Sequence, residues 1–151
     1  MKKPAKFVLG AVSAMVAAGP ATPAAAQTHT YSAANGDTPP AELIGPNDEK
    51  PVEWGIATFD PNAGSPALES VGGGTWHHGT VADSGYKGCY SNYIHPKKKH
   101  SASVAIADKT DKDIKDPDIW AKAYATSGWA YKCSAYWGVY QKAPVPHGRK
   151  V

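Results

Sequence analysis

The sequence predicts an all-β protein: a small antiparallel β-sandwich of five to six short strands with one disulfide, preceded by a disordered Pro-rich segment. Three observations favour this class. Gly contributes 15 and Pro 13 of the 151 residues, which argues against a helical bundle. Eight Tyr and five Trp, against two Phe and two Met, supply most of the large side chains, and such side chains pack well on a pleated sheet. Several segments alternate in polarity and show no convincing helical period.

Residues 1–26 have the pattern of a secretory signal peptide. Three lysines among the first six residues are followed by an apolar stretch at Phe7–Ala18 and by small residues at Ala24–Ala26. The apolar stretch is too short to cross a bilayer, which takes roughly 20 residues. We therefore expect a secreted, extracellular protein. The formal charge of +3 belongs to these lysines, because the remaining chain has equal numbers of basic and acidic residues.

The mature chain divides by composition. Residues 27–70 contain six prolines, seven acidic residues and one lysine, so we expect a mostly disordered or loosely extended leader in which Glu53–Phe59 has the composition of a short strand. Residues 71–142 carry ten lysines, six acidic residues and most of the aromatic side chains, and are predicted to form the folded domain. Residues 143–151 are predicted to be a flexible tail.

Alternation of side chains predicts five strands within the domain. They are Thr75–Val81, Cys89–Ile94, His100–Ala107, Ile119–Ala125 and Trp129–Tyr140. The two cysteines, Cys89 and Cys133, enter an oxidising compartment and are predicted to join the second strand to the last. Closing a loop of this length stabilises a protein by about 4 kcal/mol in the chain-entropy treatment.

Several kinds of chemistry lack the residues that they need. Four of the six histidines lie between His77 and His100, but the adjacent His77 and His78 point to opposite faces of a strand, and no third metal ligand follows from the spacing. The acidic run Asp108–Asp118 lacks the Gly and distal Glu of a calcium loop and is predicted to be a solvated hairpin connection.

No catalytic motif is present either. The chain has no Gly-x-Ser-x-Gly, and all its Glu residues precede the domain. We therefore predict a protein that is not an enzyme and has no catalytic residue, metal or cofactor. The single Arg and the neutral mature chain argue against a nucleic-acid partner.

A cationic run stands beside aromatic residues in the middle of the domain. Three lysines and a histidine follow Tyr90-Ser91-Asn92-Tyr93 closely. Ammonium groups attract phosphate, and aromatic rings stack on the apolar faces of sugars, so the pattern suits a ligand with both parts. A solvated turn whose lysines protect a strand edge fits the pattern equally well, and Trp76 and Tyr93 fit a core equally well. The predicted ligand-binding residues are Trp76, Tyr90, Tyr93, Lys97, Lys98, Lys99 and His100.

The motifs of the domain resemble those of one known family. In order along the chain they are Gly74-Thr75-Trp76, His78-Gly79, Tyr90-Ser91-Asn92-Tyr93 with His95, His100-Ser101-Ala102 with Val104, Trp120-Ala121-Lys122-Ala123, and Ser134 with the aromatic residues up to Tyr140. Over about residues 73–140 the chain is similar to the lactococcin 972 family of bacteriocins. The resemblance supplies no residue known to contact a ligand.

This resemblance implies a secreted antibacterial protein with a small β-sandwich. It further implies binding to the wall precursor lipid II, a block of septum formation without pores, a tendency to form homodimers, and room for a dedicated immunity or export partner. A non-toxic secreted module that binds carbohydrate or the cell envelope is the main alternative. A small secreted hydrolase is a third alternative, and it is disfavoured because the sequence shows no recognisable catalytic group.

Two features depart from the family pattern. The cysteine pair is not shared, and the acidic segment 27–70 separates the signal peptide from the Gly-Thr-Trp motif. Because this segment is acidic and the domain is basic, we hypothesise that it shields the domain until a second cleavage removes it.

Overall fold

Nine strands and two short 3-10 turns make up the part of the chain that the computed structural model describes, residues 27–59 and 66–141. The strands are β1 (Gln27–Ser32), β2 (Pro51–Phe59), β3 (Ala67–Val71), β4 (Gly74–Asp83), β5 (Tyr86–Ile94), β6 (His100–Ile106), β7 (Lys109–Lys115), β8 (Ala121–Ser127) and β9 (Cys133–Tyr140). The 3-10 turns are Ala33–Asn35 and Ala41–Leu43. No helix in these ranges is long and apolar enough to span a membrane. The predicted signal peptide and flexible tail lie outside them.

The strands form two antiparallel sheets. Sheet A has the order β1-β2-β9-β6-β7, and sheet B has the order β3-β4-β5-β8. The Cys89–Cys133 disulfide joins β5 of sheet B to β9 of sheet A, with 5.7 Å between the Cα atoms. The predicted all-β class and the disulfide are confirmed, although the described residues contain nine strands instead of five to six.

All five strands predicted within the domain are present, as β4, β5, β6, β8 and β9. The last begins at Cys133 and not at Trp129, because Tyr131 N donates to Gly128 O (3.2 Å) and closes a turn there. Strand β7 was missed. It occupies most of the acidic run at 108–118, where charged residues hide the alternation, so that run is a paired strand and not only a hairpin connection.

The expectation of a mostly disordered leader does not hold for the described part of residues 27–70. Strand β2 contains the predicted strand Glu53–Phe59 and lies in sheet A between β1 and β9. Trp54 and Phe59 are buried. Gly55 lies flat against the Trp137 indole, since a Cβ at this position would overlap the ring. The composition of this segment is too polar to offset the entropy cost of ordering it. Pairing with β9 and burial of aromatic surface supply the missing stabilisation.

The segment between β1 and β2 covers the outer face of sheet A. Leu43 is buried against Trp54, and its carbonyl accepts a hydrogen bond from the Tyr140 hydroxyl (2.6 Å). The Ser103 hydroxyl donates to the carbonyl of Glu42 (2.6 Å). The two sheets therefore differ, since the outer face of sheet B keeps exposed aromatic side chains.

Aromatic side chains fill the space between the sheets. The rings of Tyr93 and Trp137 are stacked with centroids 5.3 Å apart. Trp76 Nε1 donates to Ser91 Oγ (2.9 Å), and the Tyr93 hydroxyl donates to Val71 O (2.9 Å). Because their polar edges are hydrogen-bonded, Trp76 and Tyr93 serve as core residues in a chain that has little Phe or Leu. The buried Trp137 Nε1 differs, since it has no hydrogen-bond partner within the described residues.

Two aspartates of β7 protect the outer edge of sheet B. Asp113 accepts a hydrogen bond from Lys122 N, and Asp111 accepts one from Tyr124 N, both at 2.9 Å. These amides belong to the edge strand β8 and point away from β5. The acidic run thus satisfies the free backbone donors of an edge strand, which would otherwise invite pairing with another chain.

Candidate functional site

Three of the seven predicted ligand-binding side chains do not reach the surface. Trp76, Tyr93 and His100 are each 0% exposed. Trp76 and Tyr93 are cross-strand partners on the inner face of sheet B, where they pack against Trp137 of sheet A. The prediction that these three side chains contact a ligand is therefore corrected. Trp76 and Tyr93 are core residues, and buried His100 contacts the backbone of Lys98.

Tyr90 lies on the outer face of sheet B. The alternation along β5 puts Tyr90, Asn92 and Ile94 on this face, while Cys89 and the other inward residues are buried. The Tyr90 ring meets the His77 ring edge to face, with centroids 5.2 Å apart and 3.3 Å between Oη and Nε2.

A small groove on the same face places polar groups beside exposed rings. It has a volume of about 160 Å³ and is lined by His77, Asn92, Trp120 and Lys122. Three of these residues form one cross-strand row over β4, β5 and β8. Tyr124 stands beside this row and is 43% exposed. The face offers stacking surface together with hydrogen-bonding side chains, which is the combination that sugars require.

The cationic run forms the connection between β5 and β6, here called the lysine turn (residues 95–99). Lys97 and Lys98 are exposed, and neither makes an ion pair with another described residue. Lys99 differs, because its Nζ lies 2.6 Å from Glu49 Oε2. Two of the three lysines therefore make no ion pair with any residue that the structure describes.

A cleft of about 540 Å³ lies beside the lysine turn. Lys97 and Lys99 line it together with Lys50, and the carboxylates of Glu49 and Asp116 line it as well. An anion in this cleft would meet both signs of charge. Lys98 is exposed and does not line this cleft, so the exposed part of the turn at Lys97 and Lys98 is the more favourable position for phosphate.

Two buried histidines hold the lysine turn. His95 Nδ1 lies 3.0 Å from Lys97 N and 2.9 Å from Lys98 N. His100 Nδ1 lies 2.8 Å from Lys98 O, and its Nε2 lies 2.6 Å from Ile119 O. Burial lowers the pKa of His95, and the nearby charges of Lys98 and His100 lower it further.

The adjacent histidines of β4 do not share a site. His77 and His78 point to opposite faces of sheet B, as predicted, with His77 on the outer face and His78 buried. Nowhere in residues 27–59 and 66–141 do three His, Cys, Asp or Glu side chains converge. His78 is stacked on Trp76 with centroids 3.7 Å apart, and its Nε2 lies 3.5 Å from Glu69 Oε2. Burial lowers its pKa, and Glu69 partly opposes this.

Sequence reasoning missed several residues of this surface. His95 had a signal, because a His-Pro pair before the lysines marks a turn whose first side chain can accept backbone hydrogen bonds. Glu49 had none, because it lies 50 residues from Lys99 along the chain. Trp120, Asn92 and His77 were seen only as parts of motifs or strands.

The fold and this surface define a class: a small disulfide-linked β-sandwich with a cationic turn at one end and an aromatic outer face. Residues 72–137 match the family model described as Bacteriocin (Lactococcin_972). The match runs from β4 into β9, excludes β1 to β3, and confirms the resemblance to lactococcin 972 bacteriocins over that range. It supports an antibacterial function. No curated protein and no solved structure matches the chain.

Proposed function

We propose that the protein is a secreted bacteriocin that binds a pyrophosphate-sugar precursor of the cell wall, such as lipid II, and so blocks septum and peptidoglycan synthesis without forming pores. The observation that carries this proposal is the pair of exposed lysines at 97 and 98, which make no ion pair within residues 27–59 and 66–141 and lie in the part of the chain that matches the bacteriocin family. It acts by binding and not as an enzyme.

The position of the turn suits a ligand with two chemical parts. Lys97 and Lys98 supply point charges for a pyrophosphate. The outer face of β5 leads directly into the turn, and Tyr90 lies roughly 13 Å along the strand from Ile94 at about 3.3 Å per residue. Sugar rings beside a phosphate held at the turn would therefore meet Asn92 and the aromatic side chains of this face.

The partners implied by the family resemblance stay predictions. They are a homodimer and a dedicated immunity or export protein. The proposal requires neither of them, nor a cofactor or nucleic acid, for the binding step itself.

Binding to vesicles that contain lipid II tests the proposal. We expect Lys97→Ala/Lys98→Ala to bind more weakly than the unaltered protein, and the difference to grow at low ionic strength, because screening by salt weakens exposed charges. The matched control is Lys109→Ala/Lys132→Ala, which removes two exposed lysines away from the turn and should bind normally. Equal binding by both variants at low salt would contradict the proposal.

Killing assays test the mechanism in cells. Purified protein should inhibit growth of sensitive bacteria, and added lipid II should protect them if sequestration of the precursor is the cause. Inhibition that added lipid II does not relieve would point to a different target.

The exposed aromatic side chains of sheet B favour a second candidate function, a non-toxic module that binds carbohydrate or the cell envelope. Trp120 is 36% exposed and Tyr124 is 43% exposed on this face. Polysaccharide binding that Trp120→Ala weakens, together with no growth inhibition, would favour this function over the bacteriocin.

A further inference from the structure

The hydrogen bonds of the lysine turn define which ring nitrogens carry protons. Both groups that face His95 Nδ1 are backbone amides, those of Lys97 and Lys98. An amide N–H only donates, so this nitrogen must accept and cannot carry a proton. His95 is therefore neutral, with its proton on Nε2.

The position of His95 explains why a side-chain acceptor is needed here. Pro96 follows it and pre-sets the turn, and the side chain accepts from the amides two and three residues further on. Asn and Asp do the same in Asx turns, with a side-chain oxygen in place of the imidazole nitrogen. His95 thus imitates an Asx turn with a group that titrates.

The partners of His100 have the opposite character. Both of its ring nitrogens face carbonyl oxygens, those of Lys98 and Ile119. A carbonyl only accepts, so the two contacts are both hydrogen bonds only where both nitrogens donate, and only the imidazolium carries two N–H groups. A neutral His100 would leave one unprotonated nitrogen against a carbonyl oxygen at 2.8 Å or less.

The surrounding charges agree with a neutral His95. The charged groups that face it are Lys98 on the turn, His100 on β6 and Glu53 on β2. Burial and the first two lower the pKa of His95, while Glu53 and a hydrogen bond with the backbone of Gly72 oppose this. A positive His100 therefore helps to keep its neighbour unprotonated.

We propose that His95 and His100 are positioning residues that hold the lysine turn through opposite protonation states, the first as a neutral acceptor and the second as a doubly protonated donor. Acidification protonates His95 Nδ1, which then faces two amide N–H groups as a third donor, and the turn loses both hydrogen bonds. The hydrogen bonds are present at higher pH and are lost as the pH falls through the pKa of His95.

The consequence for binding rests on the proposed function. Acidification adds no negative charge to a protein and removes no positive charge, so simple charge attraction predicts no loss of binding to an anionic lipid. A turn that depends on His95 predicts weaker binding at acidic pH. The two accounts therefore predict different outcomes. Charge attraction alone predicts that binding persists at acidic pH, whereas a turn that depends on His95 predicts that binding weakens.

Long-range ¹H–¹⁵N NMR spectra of the full secreted chain test the protonation states without any ligand. We expect His95 at neutral pH to show an unprotonated Nδ1 and a protonated Nε2, and His100 to show protons on both nitrogens. A protonated His95 Nδ1, or a bare nitrogen on His100, would overturn the inference. This result stands whether or not the protein binds lipid II.

A substitution series tests the consequence for the turn. His95→Asn keeps a side-chain acceptor that does not titrate, whereas His95→Ala removes the acceptor. Hydrogen exchange of the Lys97 and Lys98 amides, corrected for intrinsic rates, should lose at least roughly fivefold in protection when the pH falls from about 8 to below the pKa of His95 in the unaltered protein. His95→Asn should lose little, and His95→Ala should be unprotected throughout.

His29→Asn is the matched control, because His29 is an exposed histidine on β1, and it should behave as the unaltered protein. The same pH profile in His95→Asn as in the unaltered protein would overturn the inference. Where vesicles with lipid II are bound, binding should follow the amide protection. A normal exchange result without lipid II binding would leave the turn inference standing and contradict the proposed function alone.

Discussion

Lys99 differs from the two lysines before it because an ion pair compensates its charge. It belongs to a run of three lysines, yet its Nζ lies 2.6 Å from Glu49 Oε2. Glu49 comes from the acidic segment before β2, so one leader carboxylate reaches the lysine turn. The shielding hypothesis requires acidic groups of residues 27–70 to contact basic groups of the domain, and the Glu49–Lys99 ion pair is such a contact.

Glu49→Gln should strengthen binding to vesicles with lipid II. The substitution frees Lys99, and because the ion pair is partly exposed we expect an effect of roughly twofold to fivefold at low ionic strength. Asp48→Asn removes a neighbouring charge that makes no ion pair within the described ranges and serves as the control. Equal gains in the two variants would indicate a general charge effect and not release of Lys99.

Buried His78 makes the stability of the protein depend on pH. Its ring nitrogens make no hydrogen bond within the described structure, and burial lowers its pKa below the unfolded value of 6.5. At pH values between the lowered pKa of folded His78 and the unfolded value of 6.5, the unfolded chain binds more protons than the folded one. The stability contribution is therefore complete above about pH 6.5 and is lost as the pH falls below it.

His78→Phe should flatten this dependence while keeping the packing against Trp76 and Phe59. We expect the free energy of unfolding, measured with urea from about pH 8 to about pH 5, to fall less steeply in the variant than in the unaltered protein. Some slope should remain, because the pKa of His95 is also lowered. An unchanged slope would contradict the role of His78, and His29→Phe controls for loss of an exposed histidine.

At the scale of elements, β7 and β8 are linked by side chains and not by a strand ladder. Asp111 and Asp113 supply the acceptors for two β8 amides. A run that resembles a solvated loop in sequence therefore closes one side of the sandwich.

Asp111→Ala should lower the free energy of unfolding by about 1 kcal/mol, because the Tyr124 amide loses its acceptor. Asp111→Asn keeps a side-chain oxygen and should recover most of the loss. Thermal and urea unfolding of the two variants measure the difference. Equal destabilisation by Ala and Asn would show that charge matters here and the hydrogen bond does not.

Strand β2 extends the folded domain beyond the boundary predicted at residue 71. It is an interior strand of sheet A, although the family match begins at residue 72. Without it, β9 would become an edge strand, and Trp137 would lose the flat contact with Gly55.

At the scale of the whole molecule, a protein that begins at residue 71 should be much less stable than one that begins at Gln27. It lacks β1, β2, all of β3 except Val71, and the buried side chains of Leu43, Trp54 and Phe59. Burying a large apolar side chain contributes about 1.5–3 kcal/mol. We expect it to be unfolded or aggregated by circular dichroism and size-exclusion chromatography.

Mass spectrometry of the secreted antibacterial species that the proposed function predicts would show whether β1 and β2 are retained. Because residues 27–59 are part of the fold, we now expect an active species that begins at Gln27, and not at a second cleavage site near the domain. An antibacterial species that begins near residue 71 would instead support the shielding hypothesis.

Local patterns determined much of this molecule. Alternation along β5 correctly separated Cys89 and Tyr93 from Tyr90 and Asn92, because side chains on a strand point in opposite directions by turns. The cysteine pair and the compartment predicted the disulfide. Charge spacing showed the lysine turn, which the structure confirms as an exposed connection.

Other properties were decided only by the tertiary structure. Alternation shows which residues share a face but not which face points inward, so Trp76 and Tyr93 fitted a ligand contact and a core residue equally well. The packed structure buries both of them, together with His100. Composition predicts whether a segment can fold alone, and β2 cannot; it is ordered because β9 offers it a pairing edge. The protonation states of the two turn histidines depend on partners that only the folded chain brings within hydrogen-bonding distance.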